Sequence, residues 1–178
     1  MSAPQIALLI INIIGGIAVI GSYIFGLGGQ SGGANVLWGG VPAGIRPVYF
    51  VSMILSALGF FGFIYFLLFR LTPAETVIAN RFGYYIFYII FVLMLGASAF
   101  WMPLTNMYVA HPSTGLWLAV RTVLAVVGLA SIALVWALLT FQTKNHALSY
   151  WLAVAGSAYF AFHTAILDAI VWAALFRQ

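Results

Sequence analysis

Three side chains able to do chemistry stand inside otherwise apolar runs. His163 and Asp168 share "FHTAILDAIVW" (162–172), and Arg121 interrupts "LWLAVRTVLAVVG" (116–128). Asp168 is the only aspartate of the chain, and the one other acid, Glu75, reads as a loop residue. A carboxylate in such surroundings does one of three things. It pairs with a buried cation, serves as counter-ion to a ligand, or carries protons.

The inventory excludes several classes. A retinal Schiff base needs a lysine within a helix, and the one lysine, Lys144, falls in a loop. No cysteine is present, which removes disulfides, thiolate metal sites and cysteine nucleophiles. A catalytic triad lacks a nucleophile recognisable beside its one aspartate and one intrahelical histidine. Two acids do not make a calcium or two-metal site, and no transition-metal ligand set is visible. His111 and His146 fall in loops on opposite sides, which argues against bis-histidine haem within one chain. The expectation is therefore a protein that is not an enzyme and has no metal site. Six basic residues scattered singly form no nucleic-acid footprint.

The elements that must position these groups follow from composition. Apolar residues make up 65% of the chain and charged residues 4%, where a soluble domain has roughly a quarter charged. A helix needs about 20 apolar residues to cross a bilayer. Five segments qualify, at about 6–25, 48–69, 82–102, 116–141 and 148–176. The fold class expected is an all-α integral membrane protein, a five-transmembrane-helix bundle in one domain (1–178). The first run follows "MSAPQ" without a basic n-region and reads as a retained span. Arg70, Arg81 and Lys144 against Arg46 and Arg177 give a slight preference for a cytoplasmic amino terminus. In the first connection, Leu37, Trp38 and Val41 are candidates for the membrane interface. In "LTPAET", Thr72 is placed to cap a short helix with Pro73 at its first position.

On this plan Arg121 and Asp168 both lie on the order of 10 Å below the same surface. They sit on consecutive antiparallel helices, so an Arg121–Asp168 ion pair is expected. Helix five also carries Ala153, Ser157, Ala161, Ala165, Ala169 and Ala173 at every fourth position, a pattern of close helix packing. Five residues separate His163 from Asp168. In an α-helix that places them about 140° apart, so they are not expected to share a face. Helix five thus needs protein or cavity on two sides, through which a homo-oligomer or a larger membrane complex would assemble. Near the same surface, "SAFWMPLTNMY" (98–108) places Trp101 and Asn106 at the end of helix three, where Pro103 kinks or stops it. Trp101, Asn106, Arg121, His163 and Asp168 are the candidate ligand-binding residues.

Two short motifs carry a resemblance. Trp101, Pro103 and Leu104 match a Trp-x-Pro-aliphatic motif ending helix three, and Leu167, Asp168 and Trp172 match a Leu-Asn-x-x-x-Trp motif late in helix five, with Asp in place of Asn. In these, in its size and in the long first loop, the chain resembles the translocator/tryptophan-rich sensory protein (TspO/MBR) family. That resemblance implies a bundle binding a flat lipophile such as a tetrapyrrole (a porphyrin) or a sterol, with the lipid bilayer as surroundings. The alternative expectations are a non-catalytic accessory or assembly subunit of a larger membrane complex, and a small transporter or channel protomer.

Overall fold

A computed structural model describes residues 1–28, 33–142 and 148–176. Lys144, His146 and Arg177 lie outside the described residues. Five helices are long and apolar enough to cross a membrane. They are α1 (Ala3–Gly28), α2 (Arg46–Phe69), α3 (Ile86–Ala110), α4 (Thr114–Leu139) and α5 (Leu148–Leu175). Short 3₁₀ segments occupy Gly33–Trp38 and Pro73–Glu75. No strand occurs among the described residues, only isolated bridges joining Ile78 to Phe82 and to Phe141.

Most boundaries lie within a few residues of those expected, because each span is limited by how far an apolar run continues. Helix α3 is the exception. It runs through Pro103 to Ala110 instead of ending near it. Proline removes one ladder bond, but Pro103 lies on the exposed face while Met102 and Thr105 are buried. Asn106 also donates to the Gly26 carbonyl of α1 at 2.9 Å. Tertiary packing of one face carries a helix across a local breaker. Pro73 does begin a short helix after Thr72, but the Thr72 side chain forms no cap bond.

The helices neighbour one another in the order α1–α3–α4–α5–α2, with little contact between α1 and α2. The core has two parts. Toward the N-terminal end it is mainly aromatic and aliphatic, with Phe63, Phe87, Phe91, Leu134 and Tyr150 fully buried. Toward the end carrying the C-terminus it is rich in tryptophan, with Trp38, Trp101, Trp117 and Trp172 grouped around Phe176. There the first connection folds inward. Leu37 and Val41 are buried, and the Leu37 carbonyl accepts from Trp172 Nε1 at 3.0 Å. The residues expected at an interface instead close this end of the core.

Both sides of α5 are covered within the chain. Gly156 lies against Gly59 of α2, so close that a Cβ on Gly59 would stand 2.6 Å from the Gly156 carbonyl oxygen. On the other side, a Cβ on Gly128 of α4 would stand 2.9 Å from the Ala165 Cα. Small residues at these crossings let backbones approach, as van der Waals packing in hydrocarbon requires. Outward faces remain apolar: on α1, Ile10, Ile13, Ile14, Ile17, Ile20 and Ile24 are all exposed.

These crossings set a stability test. Gly59→Ala and Gly156→Ala should each destabilise the protein by about 1–3 kcal/mol through overpacking. Gly16→Ala, where a Cβ meets nothing within 4 Å, should be neutral. Thermal unfolding of the purified variants in detergent checks this.

Candidate functional site

The site begins with a change of helix type. Within α5, residues Phe162–Trp172 form a π-helix, flanked by α-helical Leu148–Ala161 and Ala173–Leu175. Its bonding runs from residue i to i+5, so side chains five apart rise on one face. No glycine or proline interrupts 162–172; the ties that accompany the widening come from neighbouring helices. Tyr49 of α2 donates its hydroxyl to the Leu167 carbonyl at 2.8 Å. Thr164 donates to Ser131 of α4 at 3.0 Å and to its own Phe160 carbonyl at 3.0 Å.

The widened turn brings His163 and Asp168 together, with Nε2 and Oδ2 3.5 Å apart. This overturns the α-helical expectation that the two face different ways. The other ring nitrogen, Nδ1, shares a 2.9 Å hydrogen bond with the Ser52 hydroxyl of α2. Ser52, His163 and Asp168 therefore form a continuous polar chain, where the sequence showed no hydroxyl beside the pair.

That chain has the membership of a hydrolytic triad but the wrong open end. Ser52 is 2% exposed and His163 is likewise buried, whereas the Asp168 side chain is 31% exposed. A nucleophile must reach the carbonyl it attacks, and donors must await the oxyanion. Here the accessible member is the carboxylate. A carboxylate held by a histidine can accept a hydrogen bond, offset a positive charge or exchange a proton.

Two tyrosines come near it. The hydroxyls of Tyr23 in α1 and Tyr49 in α2 both lie within electrostatic reach of Asp168. Tyr23 packs on Trp101 with ring centroids 5.7 Å apart, and Trp101 meets Trp172 edge-on at 5.5 Å. The Trp101 indole nitrogen is buried and, among the described residues, has no hydrogen-bond partner. On the far side Tyr49 lies edge-on to His163 and to Trp38. Asp168 is thus within reach of both α1 and α2, two helices that touch each other little.

Arg121 is not part of this group. It is exposed on α4, and among the described residues it forms no ion pair. The buried stripe of α4 runs through Val120, Leu124, Val127, Ser131 and Leu134, leaving Arg121 beside it. Arg121 and Asp168 therefore do not face one another. Helix α4 meets α5 at Ala165, while Asp168 faces α1 and α2. In a bilayer a lone arginine this near a helix end can extend its head toward the interface. The expected Arg121–Asp168 pair is replaced by His163–Asp168.

The remaining candidates divide. Trp101, His163 and Asp168 belong to one cluster. Asn106 is engaged at the α1–α3 contact through Gly26. Tyr23, Tyr49 and Ser52 join the site without having been singled out. The i, i+4 pair Ser52 and Ser56, both buried in α2, was the one visible signal of a polar face there. Two surface concavities, of about 400 Å³ beside Pro73 and Tyr85 and about 440 Å³ beside Trp136 and Ala158, lie elsewhere. Among the described residues no three of His, Cys, Asp and Glu converge as a metal site requires.

No family model, no curated protein and no solved structure matches the chain.

A double-mutant cycle checks the pairing. His163→Gln and Asp168→Asn should be non-additive by about 0.5–3 kcal/mol in unfolding free energy. Arg121→Gln and Asp168→Asn should add within about 0.5 kcal/mol. Coupling of the second pair and none in the first would restore the arginine partner.

Proposed function

We propose that the chain crosses a lipid bilayer five times and binds a lipophilic small molecule whose polar head donates a hydrogen bond to Asp168. The observation that carries this reading is the partly exposed Asp168 carboxylate. One oxygen meets His163, and among the described residues the other has no hydrogen-bond or ion-pair partner. Water and apolar solvent differ most in how they treat such a group, so a ligand head supplying a donor there gains a charge-assisted hydrogen bond. The unpartnered indole N–H of Trp101 adds a donor for an acceptor atom on the same ligand. Rings of Tyr23, Trp101 and Tyr49 supply apolar walls.

The outward position of Arg121 narrows the ligand class. Among the described residues no cation other than a protonated His163 lies beside Asp168, so an acid-headed lipophile such as a carboxylate-bearing porphyrin would meet repulsion. A sterol-like hydroxyl or an amine suits the site better. The role is binding and not catalysis, because the buried end of the Ser52–His163–Asp168 chain is the hydroxyl.

Native mass spectrometry in a mild detergent tests this with matched lipophiles carrying hydroxyl, amine or carboxylate heads. Hydroxyl and amine forms should be retained and carboxylates lost. Asp168→Asn should weaken retention of the amine form about 10- to 100-fold, corresponding to one charge-assisted hydrogen bond. Equal retention by wild type and Asp168→Asn would remove the carboxylate from the site.

A further inference from the structure

We infer that Asp168 binds an organic cation in exchange for a proton, so that the site takes up one or the other and not both. This rests on the ligand-binding reading above, assigns its ligand a charge and a counter-reaction, and lets charge pairing with the carboxylate stand in place of a donated hydrogen bond.

The argument is one of charge balance. Counting His163 and Asp168 as a unit, an unprotonated pair carries one negative charge. One added proton, on either partner, makes it neutral. A net charge held in hydrocarbon is costly, so the neutral form is favoured when nothing else is bound. A bound cation beside the carboxylate also gives a neutral site, provided that the proton has gone. Proton and cation together leave a net positive charge, and neither leaves a net negative one. The exchange balances as cation plus protonated pair giving cation-bound pair plus one proton released to water.

Three features of the geometry fit this role. First, the pair can change protonation without losing its support: Ser52 faces His163 Nδ1 at 2.9 Å, and a hydroxyl can donate or accept by rotating. Second, Asp168 is the exposed member of the pair while His163 is buried, so a ligand reaches the carboxylate first. Third, the Tyr23 and Tyr49 hydroxyls lie within electrostatic reach of the acid and Trp101 packs on Tyr23, so aromatic rings of the kind that hold quaternary and aromatic cations stand nearby.

Among the described residues, no competing charge is placed beside Asp168. From α1 the titratable group facing Asp168 is Tyr23, and from α2 it is Tyr49. Helix α3 carries no charged side chain and contributes Trp101. Arg121 of α4 is turned outward, and Arg46 at the start of α2 is held over Trp38 and near Asn35 and the Val41 carbonyl.

The test uses the full chain in mild detergent, titrated with tetraphenylphosphonium in weakly buffered solution while a pH indicator reads proton release. The uncharged triphenylmethanol serves as the matched probe. About one proton should appear for each cation bound, and apparent affinity should fall about tenfold per pH unit toward acid, as one linked proton requires. Triphenylmethanol should bind without releasing protons. His163→Gln keeps the carboxylate and should keep the release, whereas Asp168→Asn should lose cation binding and retain triphenylmethanol. The wild-type titration decides the matter even if Asp168→Asn does not fold. Cation binding without proton release, or with affinity independent of pH, overturns the exchange. Binding of triphenylmethanol alone overturns the exchange but leaves the lipophile site standing. Binding of neither probe overturns both.

Discussion

A carboxylate surrounded by apolar residues must find a partner, and the way this chain supplies one shapes much of the structure. Asp168 takes its partner from its own helix, five residues back, at the expense of regular α-helical bonding through Phe162–Trp172. The widened segment is gripped from both flanks. Tyr49 and Ser52 of α2 hold it on one side, while Ser131 and Gly128 of α4 meet it on the other. The close Gly59–Gly156 crossing brings α2 near enough for its tyrosine and serine to reach. A shift of that crossing would separate the His163 ring from its hydroxyl and the Leu167 carbonyl from its phenol.

The division of the core follows from the same need. The N-terminal half packs dry, through phenylalanine contacts such as Phe63 with Phe91 and Phe160. Its buried tyrosine hydroxyls each bond a single backbone carbonyl of another element, as with Tyr84 on Leu67 and Tyr150 on Leu138. The other half contains the Ser52–His163–Asp168 chain and is closed by tryptophans and by the first connection. Trp172 bonds that connection at Leu37, and Gly39, at φ +50°, passes where a Cβ would strike the Phe176 ring. Glycine tolerates both the left-handed backbone and the closeness. The site is thus covered at the bundle end, and the Asp168 carboxylate is its exposed member.

Much of the architecture was legible because hydropathy is additive along the chain. Long apolar runs require helices whatever their neighbours, and the small stripe Ala153, Ser157, Ala161 marked a close-packed face that is buried. The two-sidedness of helix five was also visible, although α2 and α4 supply the covering within one chain. The candidate site was legible as a set of residue types and depths. Asp168, His163 and Trp101 stand near one another, while Arg121 at similar depth points away. Tyr49 was hidden among ordinary apolar neighbours, and Ser52 showed only through its i, i+4 spacing to Ser56, which says nothing of which helix it faces.

The sequence by itself determined the helical class, the number of long apolar segments, the absence of cysteine chemistry and the presence of one acid deep in the last of them. Each of these is a count or a local sum. Only the tertiary structure decided where that acid points, because helix phase depends on the bonds that neighbouring helices make to the backbone. An α-helix would separate His163 from Asp168, and a π-helix joins them. The choice between the two rests on Tyr49, Ser52 and Ser131, residues brought in from more than thirty positions away.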